Sequence, residues 1–366
     1  MPPSRLRHPL TAWWSAALLV SALATSLPAQ SQPASPTTTA PKATESSASP
    51  WCAAGKTVRF AGMTWASGAL LTELLRYVME KGYGCATDAI PGNTVTLETA
   101  LAANDIQVLA EEWVGRSEAW NKAFADGKVK AVGKVFVGAS EGWYVPHYVV
   151  HGDAARKLAA MAPELASVSD LPRYKALFKD DEEPAKGRFL NCPTGWTCEG
   201  VNSQKLKAYQ LSDAYSNFRP GTGAALDAAI TSAVQRGKPI LFYYWAPTAL
   251  MGKYAFVKLQ EPAYNEACFK TLAHKDHPKP CGSAAPEALI QAGVSRAFHE
   301  ADPVLIDMLG KFNVPLPLLN QTLASMADSK QEAKTAAPLF LKANPALWRQ
   351  WVGTDAAAKI AAALAK

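Results

Sequence analysis

Thr57-Val58-Arg59-Phe60-Ala61 opens the stretch that decides the fold: it reads as a strand, and helices and strands then alternate. Residues 68–81 carry Leu70, Leu71, Leu74, Leu75, Val78 and Met79 at helical spacing, stopped by Gly82. Residues 85–90 read as a second strand, 94–103 as a helix and 106–111 as a third strand. A β-α-β-α-β run implies an α/β fold on a mainly parallel sheet, with ligands taken at the C-terminal ends of the strands. Trp65 follows the first strand and Trp113 the third, so both fall at such ends.

Upstream, Arg5, Arg7 and His8 precede an apolar run over 10–23, and small residues at 22–24 and 27–29 offer cleavage sites. Residues 1–29 therefore read as a secretory signal, so the chain is expected to be exported. The apolar run is too short and too interrupted by Ser and Thr for a membrane span. Residues 30–50 are Ser, Thr, Ala and Pro, which bury too little to offset ordering, so they read as a disordered tether. The formal charge of +6 includes Arg5 and Arg7, leaving +4 after processing (6 − 2). No Lys/Arg cluster exceeds two residues, which speaks against nucleic-acid binding. Six cysteines in an exported chain imply disulfides. Sequence order suggests Cys52–Cys85, Cys192–Cys198 and Cys268–Cys281.

Downstream, 129–137 and 143–150 are β-rich and read as a crossing into a second lobe. That lobe takes a helix at 154–158, a strand at 188–190, helices at 201–211 and 226–236, and an apolar strand at 239–245 that ends on Trp245. The later segments return. The expected division is 51–142 and 248–366 for lobe 1 and 143–247 for lobe 2, with the ligand in the cleft between them.

The candidate site centres on Asn191-Cys192-Pro193-Thr194-Gly195-Trp196-Thr197-Cys198-Glu199-Gly200. A disulfide across so small a loop fixes where Trp196 points. The helix start beyond it leaves the N–H groups of Thr197, Cys198 and Glu199 free for an anion. Trp65, Trp113, Trp143, Trp196 and Trp245 recur at the ends of elements, where core aromatics are not expected to cluster. Such faces form a cage for a quaternary ammonium, each worth about 0.5–2 kcal/mol. Strand alternation puts Glu111 on the face of Trp113, where it can meet a ligand cation. Trp348 and Trp351 read as packing. Cys268, His274, His277 and Cys281 have the donor types of a zinc site, and a zinc-dependent enzyme is the rival reading. The spacing and Pro278 and Pro280 favour a plain disulfide instead. No nucleophile elbow, paired-carboxylate motif or phosphate loop stands out, so neither catalysis nor a cofactor is expected. Tryptophan faces also stack on sugars.

Cys192 and Cys198 around Gly195-Trp196, then Glu199-Gly200, resemble the Cys-x5-Cys loop of glycine betaine-binding proteins of bacterial ABC importers. Gly237-Lys238-Pro239-Ile240 through Tyr243-Tyr244-Trp245-Ala246-Pro247 is similar to another family segment. Asp105-Ile106 through Glu112-Trp113, Glu141-Gly142-Trp143-Tyr144-Val145-Pro146, and Asn344-Pro345 with Trp348 and Trp351 extend the likeness over residues 56–352. The resemblance implies a two-lobed periplasmic binding protein, a monomer that serves a membrane permease. It implies a cage of Trp113, Trp196 and Trp245, backbone amides after Trp196 for a carboxylate, and pocket positions at Trp65 and Trp143 known from choline-binding relatives. Two positions depart from the pattern: Ser117 stands where some members carry a histidine, and Ala246 replaces the usual threonine. The ligand expected is glycine betaine, choline, proline betaine or a related compound, with a non-quaternary amine, an amino acid or a sugar as the alternative.

Overall fold

The computed structural model describes residues 48–366. Its ten strands are β1 (Val58–Gly62), β2 (Thr87–Pro91), β3 (Val108–Trp113), β4 (Val129–Phe136), β5 (Ser140–Pro146), β6 (Gly187–Leu190), β7 (Tyr215–Phe218), β8 (Leu241–Ala246), β9 (Phe256–Lys258) and β10 (Ile290–Ser295). They form two five-stranded sheets, ordered β2-β1-β3-β10-β4 and β7-β6-β8-β5-β9.

Each sheet is mainly parallel, as expected, with four strands running the same way and one reversed. In the first, β2, β1 and β3 run parallel, whereas β10 is antiparallel to both β3 and β4. In the second, β7, β6 and β8 run parallel, whereas β5 is antiparallel to β8 and β9. The reversed strands are those by which the chain changes sheet: β4 leads into β5 through residues 137–139, and β10 brings it back. A local β-α-β pattern carries no sign of strands supplied from the other lobe.

The Ala66–Tyr83 helix anchors the first sheet. Leu70, Leu71, Leu74, Leu75, Val78 and Met79 are all fully buried, a stripe worth about 1.5–3 kcal/mol per side chain. Gly82 does not stop this helix; it lies inside it. A β-carbon there would meet Ile360 at 3.1 Å, so glycine admits the Thr354–Leu364 helix, and the stop falls at Gly84 with φ 72°. Trp348 and Trp351 are buried in this core. Trp51 packs edge-on against Phe298, and Trp120 is buried with the cluster around Leu97 and Leu101.

Several expected boundaries differ. The signal segment and the tether up to residue 47 lie outside the described residues. Ser49, expected in the tether, is buried: it caps the Pro50–Ala53 helix and donates to Asp302, which also accepts from the Trp51 N–H at 3.0 Å. No helix forms at 154–158, where Asp153 and Leu158 bridge across a turn with Lys157 at φ 56°. The run 143–150 breaks at Pro146 into a short helix, His147–His151. The second sheet also takes residues 140–142 and β9, beyond the expected 143–247 window, and the Glu266–Ala273 helix packs on Thr197–Ala208. Strands β7 and β10 have no counterpart in the sequence reading. Disulfides join Cys52 to Cys85, Cys192 to Cys198 and Cys268 to Cys281. No helix among the described residues is long and apolar enough to cross a membrane.

Candidate ligand-binding site

One cleft gathers side chains from both sheets. Trp65 follows β1, Glu111, Glu112 and Trp113 end β3, and Thr94 and Glu98 come from the Thr94–Ala102 helix. The other wall holds Glu141 on β5, Trp196, Thr197, Cys198 and Val201 at the Thr197–Ala208 helix start, and Tyr243 and Trp245 on β8. Arg116 and Phe269 complete it, and the space measures about 630 Å³ out to its open mouth.

Four indoles meet here. Trp196 stands edge-on to Trp65 at 5.6 Å between ring centroids and edge-on to Trp245 at 5.3 Å. In such T-shaped pairs the edge of one ring meets the face of the other. Trp196 Nε1 donates to Thr64 Oγ1 at 3.0 Å, so this ring of the second wall is tied to the first. Gly195 makes that approach possible: its φ is +88°, and a β-carbon would sit 2.8 Å from Asn93. Trp65 Nε1 and Trp113 Nε1 each donate to Glu111 Oε1 at 2.9 Å.

The polar lining is mostly acidic. Glu98, Glu111 and Glu112 are buried beside the cleft. Burial pushes the Glu111 carboxyl up to about 7, against hydrogen bonds from Trp113 and Trp65 and the nearby Ser67 hydroxyl. Burial likewise raises Glu98 to about 7, opposed by Ser117 and the Trp120 N–H. Glu112 is pushed well above the usual carboxylate range by burial and by the charge of Glu98. Glu141 moves the other way. Burial raises it, but Arg116 at 2.6 Å, the Tyr243 hydroxyl at 2.7 Å and the charge of Lys205 together hold it below its ordinary value. Arg116 also donates to the Pro286 carbonyl at 2.8 Å, and its Nη1 is buried without a partner among the described residues.

The expected site residues divide. Trp65, Glu111, Trp113, Trp196, Thr197, Cys198 and Trp245 line the cleft together. Trp143 does not: it is fully buried, stacked 4.1 Å from Phe189, with Nε1 donating to Asn202 Oδ1 at 2.8 Å. It stands two residues beyond Glu141 on β5, and its ring falls in the second-lobe core. Ser117 does not line the cleft either; it caps the Glu118–Ala125 helix and donates to Glu98. Thr197 and Cys198 offer free N–H groups at the helix start, but the Glu199 N–H bonds the Trp196 carbonyl at 3.1 Å and is not available.

Sequence reasoning missed Thr94, Glu98, Arg116, Glu141, Val201, Tyr243 and Phe269, and left open whether Glu111 or Glu112 lines the pocket; both do. Tyr243 has a signal, two residues before Trp245 and therefore on the same face of β8. Glu141 pairs in register with Trp245, which only the sheet reveals. Cys268 and Cys281 are bonded to each other, which removes both thiolates from the zinc reading.

Comparison with known proteins fits this geometry. Residues 56–343 match the model of the substrate-binding domain of ABC-type glycine betaine transport systems. The chain is 24% identical over 271 residues to the glycine betaine/proline betaine-binding periplasmic protein of Escherichia coli (strain K12), covering 71% of this chain and 78% of that one. Among solved structures, an ABC-transporter choline binding protein in complex with choline superposes with a TM-score of 0.68 at 18% identity, over 84% of this chain and 98% of that one. The glycine/betaine/L-proline-binding protein of Borrelia burgdorferi gives 0.67 at 18% identity, over 83% and 100%. At such identity these likenesses speak for the fold alone, that of two-lobed binding proteins.

Proposed function

The chain belongs to the family of substrate-binding domains of ABC-type glycine betaine transport systems, and from that premise we propose that its cleft captures a quaternary ammonium zwitterion of the betaine type. It is a substrate-binding protein of the glycine betaine/choline transporter class. The observation that carries the ligand assignment is the convergence of Trp65, Trp113, Trp196 and Trp245 on one cleft, with Trp196 edge-on to two of the others. A trimethylammonium group has no N–H to donate, so aromatic faces recognise it through charge and contact area. The opposite end of the ligand, a carboxylate, meets the Thr197 and Cys198 N–H groups and Arg116 Nη1.

The event is capture without chemistry. The lobes, divided near residues 140 and 260, close on the ligand, and the closed form serves a membrane permease as a monomer, with no cofactor. The signal-like N-terminus and the periplasmic relative support export to the periplasm. The acidic lining favours a second ligand class, net cations such as choline. The Thr197 and Cys198 N–H groups and Arg116 Nη1 argue for the zwitterion, so glycine betaine is expected to bind more tightly than choline. A thermal-shift panel of glycine betaine, proline betaine, choline, amino acids and sugars tests the reading, because a ligand of the native state raises its melting temperature. Stabilisation by a sugar or an ordinary amino acid, with none by any quaternary ammonium compound, would overturn it.

A further inference from the structure

Within the cleft, one carboxylate oxygen does two jobs. Glu111 Oε1 accepts from Trp65 Nε1 and from Trp113 Nε1, both at 2.9 Å. The two indoles come from different parts of the chain, one from the loop after β1 and one from the end of β3. Without a common acceptor, each ring would lose the bond that fixes its rotation about Cβ. The second oxygen, Oε2, and the neighbouring Ser67 hydroxyl are buried without a well-formed hydrogen bond among the described residues. Glu111 is therefore a buried acid with spare acceptor capacity, at the N–H edges of two rings of the cage.

We propose that Glu111 is the positioning residue of the cage, holding Trp65 and Trp113 and carrying the charge that answers the ligand cation, so that capture releases a proton from the cleft. The proposal rests on the betaine reading for its ligand, though not for the positioning of the rings. The linkage is electrostatic. In the empty cleft burial disfavours the ionised form, and Glu111 titrates up at about 7. A fixed cation against the rings that Glu111 holds favours the ionised form and pulls the carboxyl back toward its ordinary range. The proton leaves to solvent.

The other charged and titratable groups around the cleft are Glu112 beside it on β3, Glu98 from the Thr94–Ala102 helix, Arg116, Glu141 on β5 and Tyr243 on β8. Ser67 and Trp65 are the contacts from the Ala66–Tyr83 helix and its N-cap. Arg116 is already engaged with Glu141 at 2.6 Å. Glu98 and Glu112 also titrate high, so the test must isolate Glu111 by difference.

The test is calorimetric titration of glycine betaine into wild type and Glu111→Gln at pH 6, 7 and 8, in buffers of different ionisation heat. Wild type is expected to release about 0.9 proton per ligand at pH 6 and about 0.1 at pH 8, with affinity about tenfold weaker at pH 6. Glu111→Gln keeps an amide oxygen for the indoles and loses the charge. It is expected to bind several-fold more weakly at pH 8, with affinity flat to within about twofold and no proton release attributable to this site. Equal pH slopes and proton counts in the two proteins would overturn the linkage. Near-UV circular dichroism of the ligand-free proteins at pH 8 tests the positioning separately: an aromatic signal kept in Glu111→Gln, which retains an acceptor, and lost in Glu111→Leu, which has none, supports it. An unchanged signal in a folded Glu111→Leu refutes it. A wild-type protein whose signal depends on that acceptor but which binds neither glycine betaine nor choline keeps the positioning and sinks the betaine reading.

Discussion

Replacing Trp196 with alanine is the most informative single change to the cage. The ring contributes a face beside both Trp65 and Trp245, and its Nε1–H bonds Thr64 across the cleft at 3.0 Å. Losing a desolvated cation–π face costs about 1–2 kcal/mol, and the unfilled volume and freed neighbouring rings add about 1 kcal/mol more. Together that is about 2–3 kcal/mol, or a dissociation constant for glycine betaine about 30–150-fold weaker. Trp196→Phe keeps a smaller face and loses the bond to Thr64, a loss of about 1 kcal/mol and about fivefold in affinity. Thr64→Val removes the same bond from the other side, so the double variant should be no weaker than Trp196→Phe by more than about twofold. Calorimetry measures each affinity, and circular dichroism confirms that the ring's removal leaves the fold intact. Trp196→Ala binding within about threefold of wild type would refute the cage as the source of affinity.

Other outcomes rest on the same structure. Trp143→Ala should lower stability by about 3–5 kcal/mol in urea unfolding while leaving the affinity of the folded protein within about threefold, because this ring packs on Phe189 in the core. Arg116→Met leaves Glu141 buried without its main counter-charge, and should cost about 3–5 kcal/mol of stability at neutral pH. Because the folded state holds the Glu141 carboxyl low, its contribution is present above the unfolded value near 4 and is lost as pH falls through the folded value. Melting temperatures between pH 6 and 3 should therefore fall less steeply in Arg116→Met than in wild type. Removing the Cys192–Cys198 bond by a double Ser substitution should cost about 2 kcal/mol, from the entropy of a loop with sequence separation 6, and should weaken glycine betaine because the loop carries Trp196.

How much of this is legible in the sequence depends on the range of the interactions. The helix at Ala66–Tyr83 and the strands around it show in local periodicity, because one buried stripe dictates the pattern. The reversed direction of β5 and β10 does not, since it is set by crossings between sheets that no window of sequence contains. The same holds in the site. Trp65, Trp113, Trp196 and Trp245 can be picked out because an aromatic at the end of an element is locally visible. Trp143 looks identical by that criterion, yet its ring turns into the core, a choice made by Phe189 and Asn202 from distant parts of the chain. The acidic lining is unreadable for a similar reason: Glu98 and Glu141 resemble surface carboxylates until packing buries them. Ser117 reads as a ligand donor by its position, but it starts a helix, and capping uses the same hydroxyl.

The central claim is that positive charge on the ligand, held against tryptophan faces, drives recognition. Glycine betaine and 3,3-dimethylbutanoate have nearly the same shape and the same carboxylate, but the second has carbon in place of the quaternary nitrogen. Side-by-side calorimetric titration at one pH and salt concentration separates charge from shape. Glycine betaine is expected to bind one-to-one and at least tenfold more tightly, the difference made by about 1.4 kcal/mol of cation–π attraction. Equal affinity for the two compounds, or tighter binding of the isostere that lacks the cation, would contradict it.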